Sequence, residues 1–174
     1  MSNANNHVVL VDEDDNAIGT MEKMQAHQEN RLHRAFSIML LNADNPNLCL
    51  LQQRQSQKYH CPNLWSNTCC SHPFPGESIL QAGARRLQEE LGLSTELKSI
   101  DTFVYQADFD NGLHEHEYDH VLLGTLPEAT SIIPNPDEVK AVQWISLQDA
   151  LALSQGDTAT PWLQPVVESV LLLS

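Results

Sequence analysis

One helix restricts the fold of this 174-residue chain more than any other feature of its sequence. Residues 78–91 carry apolar side chains at the spacing of one helix face, and Gly92 follows where a helix normally ends. Two arginines in this stretch each precede a glutamate by four residues, which places opposite charges side by side on a helix. We therefore predict a helix over residues 78–91 whose packed face consists of Leu80, Ala84, Leu87 and Leu91.

Most of the other apolar segments show the alternation or the short length of β-strands. The turn residues at 43–47 predict a hairpin. Residues 21–33 are predicted to be a loop or a short helical turn, residues 55–76 an irregular loop, and residues 146–153 and 160–173 helices. We predict one strand that begins at residues 17–19. We predict six more strands, which span residues 8–11, 34–42, 48–54, 100–107, 118–126 and 139–145.

Charge and composition limit the partners of this chain. Its formal charge is −14 at pH 7, so nucleic acid or an anionic membrane surface would be repelled, whereas a small anion can bind where a few cations converge. Residues 1–6 lack the features of a secretory signal, and the apolar stretches are too short to cross a bilayer. The four cysteines lack the paired spacing of secreted proteins. We expect one cytoplasmic domain, residues 1–174, that binds neither nucleic acid nor a membrane.

Two glutamates and three histidines are candidates for a metal site. Glu115 and Glu117 are two residues apart, so both side chains leave the same face of a strand, where like charges are costly unless a cation lies between them. Imidazole and carboxylate ligands together suit zinc or manganese better than magnesium. Taken alone, residues 114–117 are more often a charged strand face in solvent. The histidines that can complete the site are His27, His33 and His72.

A second candidate is the pair Cys70 and His72. These residues are two apart, which can place a thiol beside an imidazole, as in nucleophilic cysteine enzymes. A cysteine in a loop bounded by prolines is more often simply a small side chain. The spacing leaves both interpretations open.

The segment 71–93 is the most specific motif. Ser71 and Arg86 stand where the Nudix box, G-x5-E-x7-R-E-U-x-E-E-x-G-U, has its first glycine and the first glutamate of its helix, but the segment otherwise resembles that motif. In the Nudix box a loop and a helix present carboxylates to magnesium ions bridged by a diphosphate. The gain of a cation at position 86 therefore disfavours diphosphate hydrolysis. The resemblance implies an α/β (α+β) fold of the Nudix type, with a mixed β-sheet sandwiched between helices.

These departures agree with one branch of the superfamily, the type I isopentenyl-diphosphate isomerases. The chain resembles that branch in residues 32–37, 67–73, 115–117 and 160–162. The resemblance implies an enzyme of isoprenoid biosynthesis that interconverts isopentenyl diphosphate and dimethylallyl diphosphate by protonation to a tertiary carbocation and deprotonation. The alternatives are a Nudix hydrolase of a diphosphate compound and a non-catalytic protein that keeps zinc for structure or binds a partner, although structural zinc sites are usually rich in cysteine.

The resemblance also implies roles for individual residues. The catalytic groups would be Cys70, Glu117, Tyr105 and Trp162. One divalent metal, zinc or manganese with magnesium as a third candidate, would be held by His27, His33, His72, Glu115 and Glu117. A magnesium ion carried in with the diphosphate would be held by Glu90. We expect a small-molecule diphosphate as partner and a monomer or weak homodimer, and the residues that bind the diphosphate would be Lys23, Arg54, Lys58, Ser71 and Arg86.

Overall fold

The computed structural model describes residues 6–58 and 60–173. Within these residues four helices span Lys23–Gln28 (α1), Ile79–Leu91 (α2), Leu147–Ser154 (α3) and Leu163–Leu171 (α4). The same residues form a nine-stranded sheet whose strands are His7–Val11 (β1), Ala17–Glu22 (β2), His33–Asn42 (β3), Leu48–Arg54 (β4), Trp65–Ser66 (β5), Cys69–Ser71 (β6), Lys98–Asp108 (β7), His114–Leu126 (β8) and Val139–Ser146 (β9).

The sheet is mixed and is divided at its centre. β3 runs parallel to β8 from the pair His33↔Glu117 to the pair Asn42↔Leu126, and the other pairings between these nine strands are antiparallel. The predicted hairpin partners β3 and β4 are paired in the described residues only at Leu41↔Cys49. Beyond that pair β3 is joined by β6, and β4 by β5. The two halves of the sheet therefore separate toward the start of β3.

Helices cover both faces of the sheet, as the resemblance implied. On β3, Phe36 and Ile38 pack with Leu87 of α2 in one buried cluster. Met39 points to the other face and packs in a second buried cluster with Leu163 of α4. A strand that is apolar on both faces is expected where helices cover the sheet on both sides.

Helix α2 ends at the predicted residue and begins one residue later than predicted, with Ser78 as its N-cap. Ser78 and Gln81 form a capping box, in which each side chain accepts a hydrogen bond from the other residue's backbone N–H. Gly92 ends the helix with a φ of 64°, a left-handed conformation that glycine adopts without strain.

The packed face of α2 differs from the prediction. Leu80 is 42% exposed and Ala84 is also exposed, so the predicted face was wrong at these two positions. The helix approaches the sheet most closely at Gly83, where a Cβ would lie 2.8 Å from Cδ1 of Leu122. Arg86 and Glu90, three and seven positions after Gly83, lie on the same side of the helix, and Glu90 is buried.

The structure corrects one of the two loop predictions and confirms the short helical turn in the other. Residues 55–76, predicted to be irregular, contain β5 and β6, which are strands of two and three residues and therefore too short to show a sequence period. In residues 21–33 the helical turn is α1, whose first N–H groups, those of Met24 and Gln25, donate to the side chain of Glu22. Within residues 6–58 and 60–173 no helix is both long and apolar enough to cross a membrane.

Candidate active site and metal centre

A cavity of about 320 Å³ lies where the two halves of the sheet separate. Its wall is formed by residues of α1, α2, β1, β3, β4, β6 and β8 and of the loops between them, together with Trp162, which precedes α4. His27 and His33 are buried beside this wall, and Tyr105 is partly buried. The residues predicted from the sequence that line the cavity are Lys23, Arg54, Lys58, Cys70, Ser71, His72, Arg86, Glu90, Glu115, Glu117 and Trp162.

The predicted metal ligands come together from four parts of the chain. One potential ligand atom from each of five residues lies within 4.8 Å of all the others, and the residues are His27, His33, His72, Glu115 and Glu117. His72 Nε2 is 2.8 Å from Glu117 Oε2, and His33 Nε2 is 3.4 Å from the same oxygen. The pairing of β3 with β8 sets Glu117 opposite His33. Because side chains alternate along β8, Glu115 and Glu117 both point inward and are only 5% and 7% exposed. The alternative of a charged strand that faces solvent was therefore wrong.

This cluster fits a divalent cation. Two buried carboxylates repel each other unless a positive charge compensates them, and three imidazole nitrogens complete a mixed nitrogen and oxygen donor set. Burial lowers the pKa of His72 to about 3, so its imidazole is neutral and has a lone pair to offer. Hydrogen bonds from His27 and His60 outweigh burial and hold the pKa of Glu115 well below its usual range. The donor set accommodates such an ion without singling out one metal.

The two adjacent cysteines face opposite sides of β6. Cys69 is buried in the core with Phe36, whereas Cys70 lines the cavity. The indole Nε1 of Trp162 is 3.1 Å from Cys70 Sγ, and this thiol donates to Asn67 Oδ1 at 3.2 Å. Burial raises the pKa of Cys70 to about 12, so the side chain is a thiol at neutral pH.

Two aromatic side chains lie near the thiol and the carboxylates. The rings of Tyr105 and Trp162 are 6.0 Å apart, and the Arg54 guanidinium lies 5.3 Å from the Trp162 ring. Tyr105 is paired with Glu117 across β7 and β8. Its buried hydroxyl has no hydrogen-bond partner among the described residues, and burial together with the charge of Glu117 raises its pKa. Trp162 thus gives the cavity an aromatic wall close to Cys70, and Tyr105 lies beside it.

Cations gather at the end of the cavity nearest α2. Lys58 forms an ion pair with Glu138, and Arg86 Nη2 lies 3.5 Å from the same carboxylate. Arg86 also bonds to Glu90. Burial, followed by the positive charges of Lys58 and Arg86, lowers the pKa of Lys23. Cations held this close together favour an anion between them.

Several residues of the site were not identified from the sequence. His60 hydrogen-bonds to Glu115, and Glu138 pairs with two of the cations, but neither follows a motif or a period. Gln52 donates to Glu90 Oε1 at 3.0 Å. Asp119 is buried two residues after Glu117, so the alternation that identified the two glutamates would also have found it.

The chain matches the NUDIX domain model over residues 31–168. It is 48% identical over 171 residues to the isopentenyl-diphosphate Delta-isomerase of Photobacterium profundum, a match covering 94% of this chain and 93% of that protein. A second relative of this name, from Pectobacterium atrosepticum, is 45% identical over 159 residues, covering 90% of this chain and 87% of that protein.

Solved structures share the fold at lower sequence identity. DR0079 from Deinococcus radiodurans superimposes with a TM-score of 0.75 at 20% identity, covering 93% of this chain and 97% of that one. The dihydroneopterin triphosphate pyrophosphohydrolase of E. coli gives a TM-score of 0.63 at 18% identity, covering 80% of this chain and 95% of that one.

Proposed function

The chain belongs to the NUDIX family and, within it, to the isopentenyl-diphosphate Delta-isomerases, and from this membership we propose that it interconverts isopentenyl diphosphate and dimethylallyl diphosphate. The reaction moves one carbon–carbon double bond. One proton is added at the terminal alkene carbon, and another is lost from the carbon nearer the diphosphate. The site therefore needs one group that gives a proton and one that takes a proton.

The observation that carries this proposal is the composition of one cavity wall. The Cys70 thiol and the Glu117 carboxylate line the same cavity as a group of cations. Both side chains can carry a proton, and a diphosphate held by the cations would place a short hydrocarbon chain beside them. Glu117 is assigned to the alkene terminus and Cys70 to the other face, and the roles of acid and base reverse with the direction of the reaction.

The cations account for the binding of a charged substrate by an acidic protein. Lys23, Arg54, Lys58 and Arg86 line the cavity, although the formal charge of the chain is −14. Charge-assisted hydrogen bonds from such groups to phosphate oxygens are stronger than neutral ones. Ser71 adds a hydroxyl to this lining.

Aromatic groups suit the carbocation that forms between the two proton transfers. The face of an indole stabilises a cation by roughly 2 kcal/mol where water is excluded. Trp162 is 5% exposed, and Tyr105 packs beside it. Exclusion of water also matters because water would trap the cation as an alcohol.

The five clustered residues would hold one divalent metal, for which we propose zinc or manganese. A bound cation would neutralise the two carboxylates and fix the orientation of Glu117. Glu90 is a separate carboxylate at the cationic end of the cavity, where it would hold magnesium that arrives with the diphosphate. All four cysteines are free, which supports the predicted cytoplasmic location because thiols stay reduced there.

Isomerase and hydrolase activities are distinguished by a single assay. Purified protein with labelled isopentenyl diphosphate and Mg²⁺ is expected to form dimethylallyl diphosphate, detected after acid treatment as volatile label, without release of phosphate. Release of phosphate in place of the acid-labile product would contradict the proposal and favour the hydrolase. Arg86 supports the isomerase outcome. It occupies a position where the Nudix box has a glutamate, and it donates hydrogen bonds to the two remaining carboxylates of the motif's helix, Glu89 and Glu90.

Arg86→Met tests the cationic end of the cavity. Loss of this partly buried guanidinium is expected to raise the KM for isopentenyl diphosphate by roughly 10- to 100-fold, the value of one charge-assisted hydrogen bond, with a smaller change in kcat. Steady-state kinetics measure both constants. Lys98→Met, an exposed lysine at the start of β7, is the matched control and should leave KM unchanged. Equal KM values for the two variants would remove Arg86 from the diphosphate site.

A further inference from the structure

His60 is a buried histidine that none of the sequence motifs includes. It lies between β4 and β5, and its side chain is 3% exposed. The ring stacks on Phe109 with centroids 4.7 Å apart and meets His27 edge-on, also at 4.7 Å. Its Nδ1 is hydrogen-bonded to Glu115 Oε1. Neighbours on two sides of the ring therefore fix the direction of this hydrogen bond.

The two oxygens of Glu115 have different neighbours. Oε1 is bonded to His60, whereas Oε2 lies 3.5 Å from His27 Nε2, within the five-residue cluster. An ionised carboxylate only accepts hydrogen bonds, so His60 must donate from Nδ1, the ring nitrogen that faces Glu115 Oε1. Glu115 is thus held through one oxygen and presents the other to the cluster.

The position of His60 in the chain connects this contact to the cationic end of the cavity. Lys58 lies two residues earlier in the same loop, and Arg54 Nε donates to the carbonyl oxygen of His60 at 3.2 Å. Both cations line the cavity. The backbone of His60 is therefore bonded to one of the cations, while its side chain is bonded to a candidate metal ligand.

We propose that His60 is a positioning residue that orients Glu115 as a one-oxygen metal ligand and joins the metal centre to the loop that binds the diphosphate. Residues that hydrogen-bond to a metal ligand fix its orientation, and their loss typically weakens metal binding by roughly 10- to 100-fold. The inference rests on the proposed metal centre but does not require the isomerase reaction.

Two substitutions separate the hydrogen bond of His60 from its packing. His60→Phe keeps the stack on Phe109 and lacks the N–H, whereas His60→Asn places an amide N–H near the position of Nδ1 and lacks the ring. The measurement is the affinity of the metal-free protein for Zn²⁺, and separately for Mn²⁺, in competition with a chromophoric chelator. We expect roughly 10- to 100-fold weaker binding by the phenylalanine variant and near-native binding by the asparagine variant.

The order of the two affinities decides the proposal. Equal affinities, or tighter binding by His60→Phe than by His60→Asn, would overturn it, because packing alone would then explain the residue. His116→Phe makes the same change on the opposite face of β8, next to Glu115, and should bind metal as the unsubstituted protein does. If His60→Phe does not fold, His60→Leu is compared with His60→Asn by the same criterion. A normal isomerase that binds neither ion would contradict the metal role of His60 while leaving the reaction in place.

Discussion

Glu117→Gln is expected to lower kcat by roughly 10⁴-fold, the upper end of what one acid–base group contributes. The carboxylate has two uses in the proposed reaction, because it carries a proton to or from the alkene terminus and also belongs to the metal cluster. Its Oε2 is in contact with both His33 and His72, so the amide would set a neutral group where two imidazoles meet an anion. The product assay with labelled isopentenyl diphosphate measures the loss.

A surface variant separates this effect from a general loss of carboxylates. Glu168→Gln changes an exposed glutamate on α4 and should retain the activity of the unsubstituted protein. Metal content is determined for both variants, since Glu117→Gln should also bind the metal more weakly. Retention of more than a tenth of the original kcat by Glu117→Gln would exclude this residue as the group that moves the proton.

Cys70→Ala is expected to reduce kcat by roughly 10³-fold, because alanine can neither give nor take a proton. Burial raises the pKa of the Cys70 thiol to about 12, so the side chain carries its proton throughout the neutral range. The pH profile of kcat/KM is therefore expected to show no bend between pH 6 and 9 that comes from ionisation of this thiol in the free enzyme. Cys70→Ser keeps a hydroxyl but is expected to remain far below the native rate, since a serine hydroxyl gives up its proton less readily than a thiol.

The adjacent thiol supplies the control for Cys70. Cys69→Ala removes a sulfur of the same segment that is buried among core residues, and kcat should remain within a few-fold of the native value. The pair of variants thus tests the side of β6 from which the chemistry is performed. If Cys69→Ala lost activity and Cys70→Ala kept it, the thiol would have to be reassigned.

Features that depend on a local period were predictable from the sequence. The ends of α2 follow from Ser78 and Gly92, and the shared face of Glu115 and Glu117 follows from their spacing in a strand. The face that α2 packs was predicted less well, because close approach at Gly83 turns Leu80 toward solvent. A count of apolar positions gives no weight to a glycine, although its missing side chain decides where the helix meets the sheet.

Contacts between distant parts of the chain were not predictable in this way. His60 and Glu115 are 55 positions apart, and Lys58 and Glu138 are 80 apart, so no spacing rule relates either pair. Strands β5 and β6 were not predicted for a related reason. They are defined by their hydrogen-bonded partners, β4 and β3, and not by a pattern in their own residues. Arg86 was singled out only because it departs from a known motif. The resemblance to a family, and not the spacing of residues in this chain, predicted its place in the site.

The divided sheet has a consequence for how the substrate range of this protein can change. The proposed metal-ligand and proton-carrying side chains of β3, β6 and β8 belong to one half of the sheet, whereas Arg54 at the end of β4 and Glu138 just before β9 belong to the other. In the proposed reaction the first half would act on the hydrocarbon, and the second would contribute Arg54 and Lys58 to the binding of the charged head group. Substitutions in the β4–β9 half can therefore alter head-group preference or spacing while the double-bond chemistry is preserved, which makes the two properties separable targets for engineering.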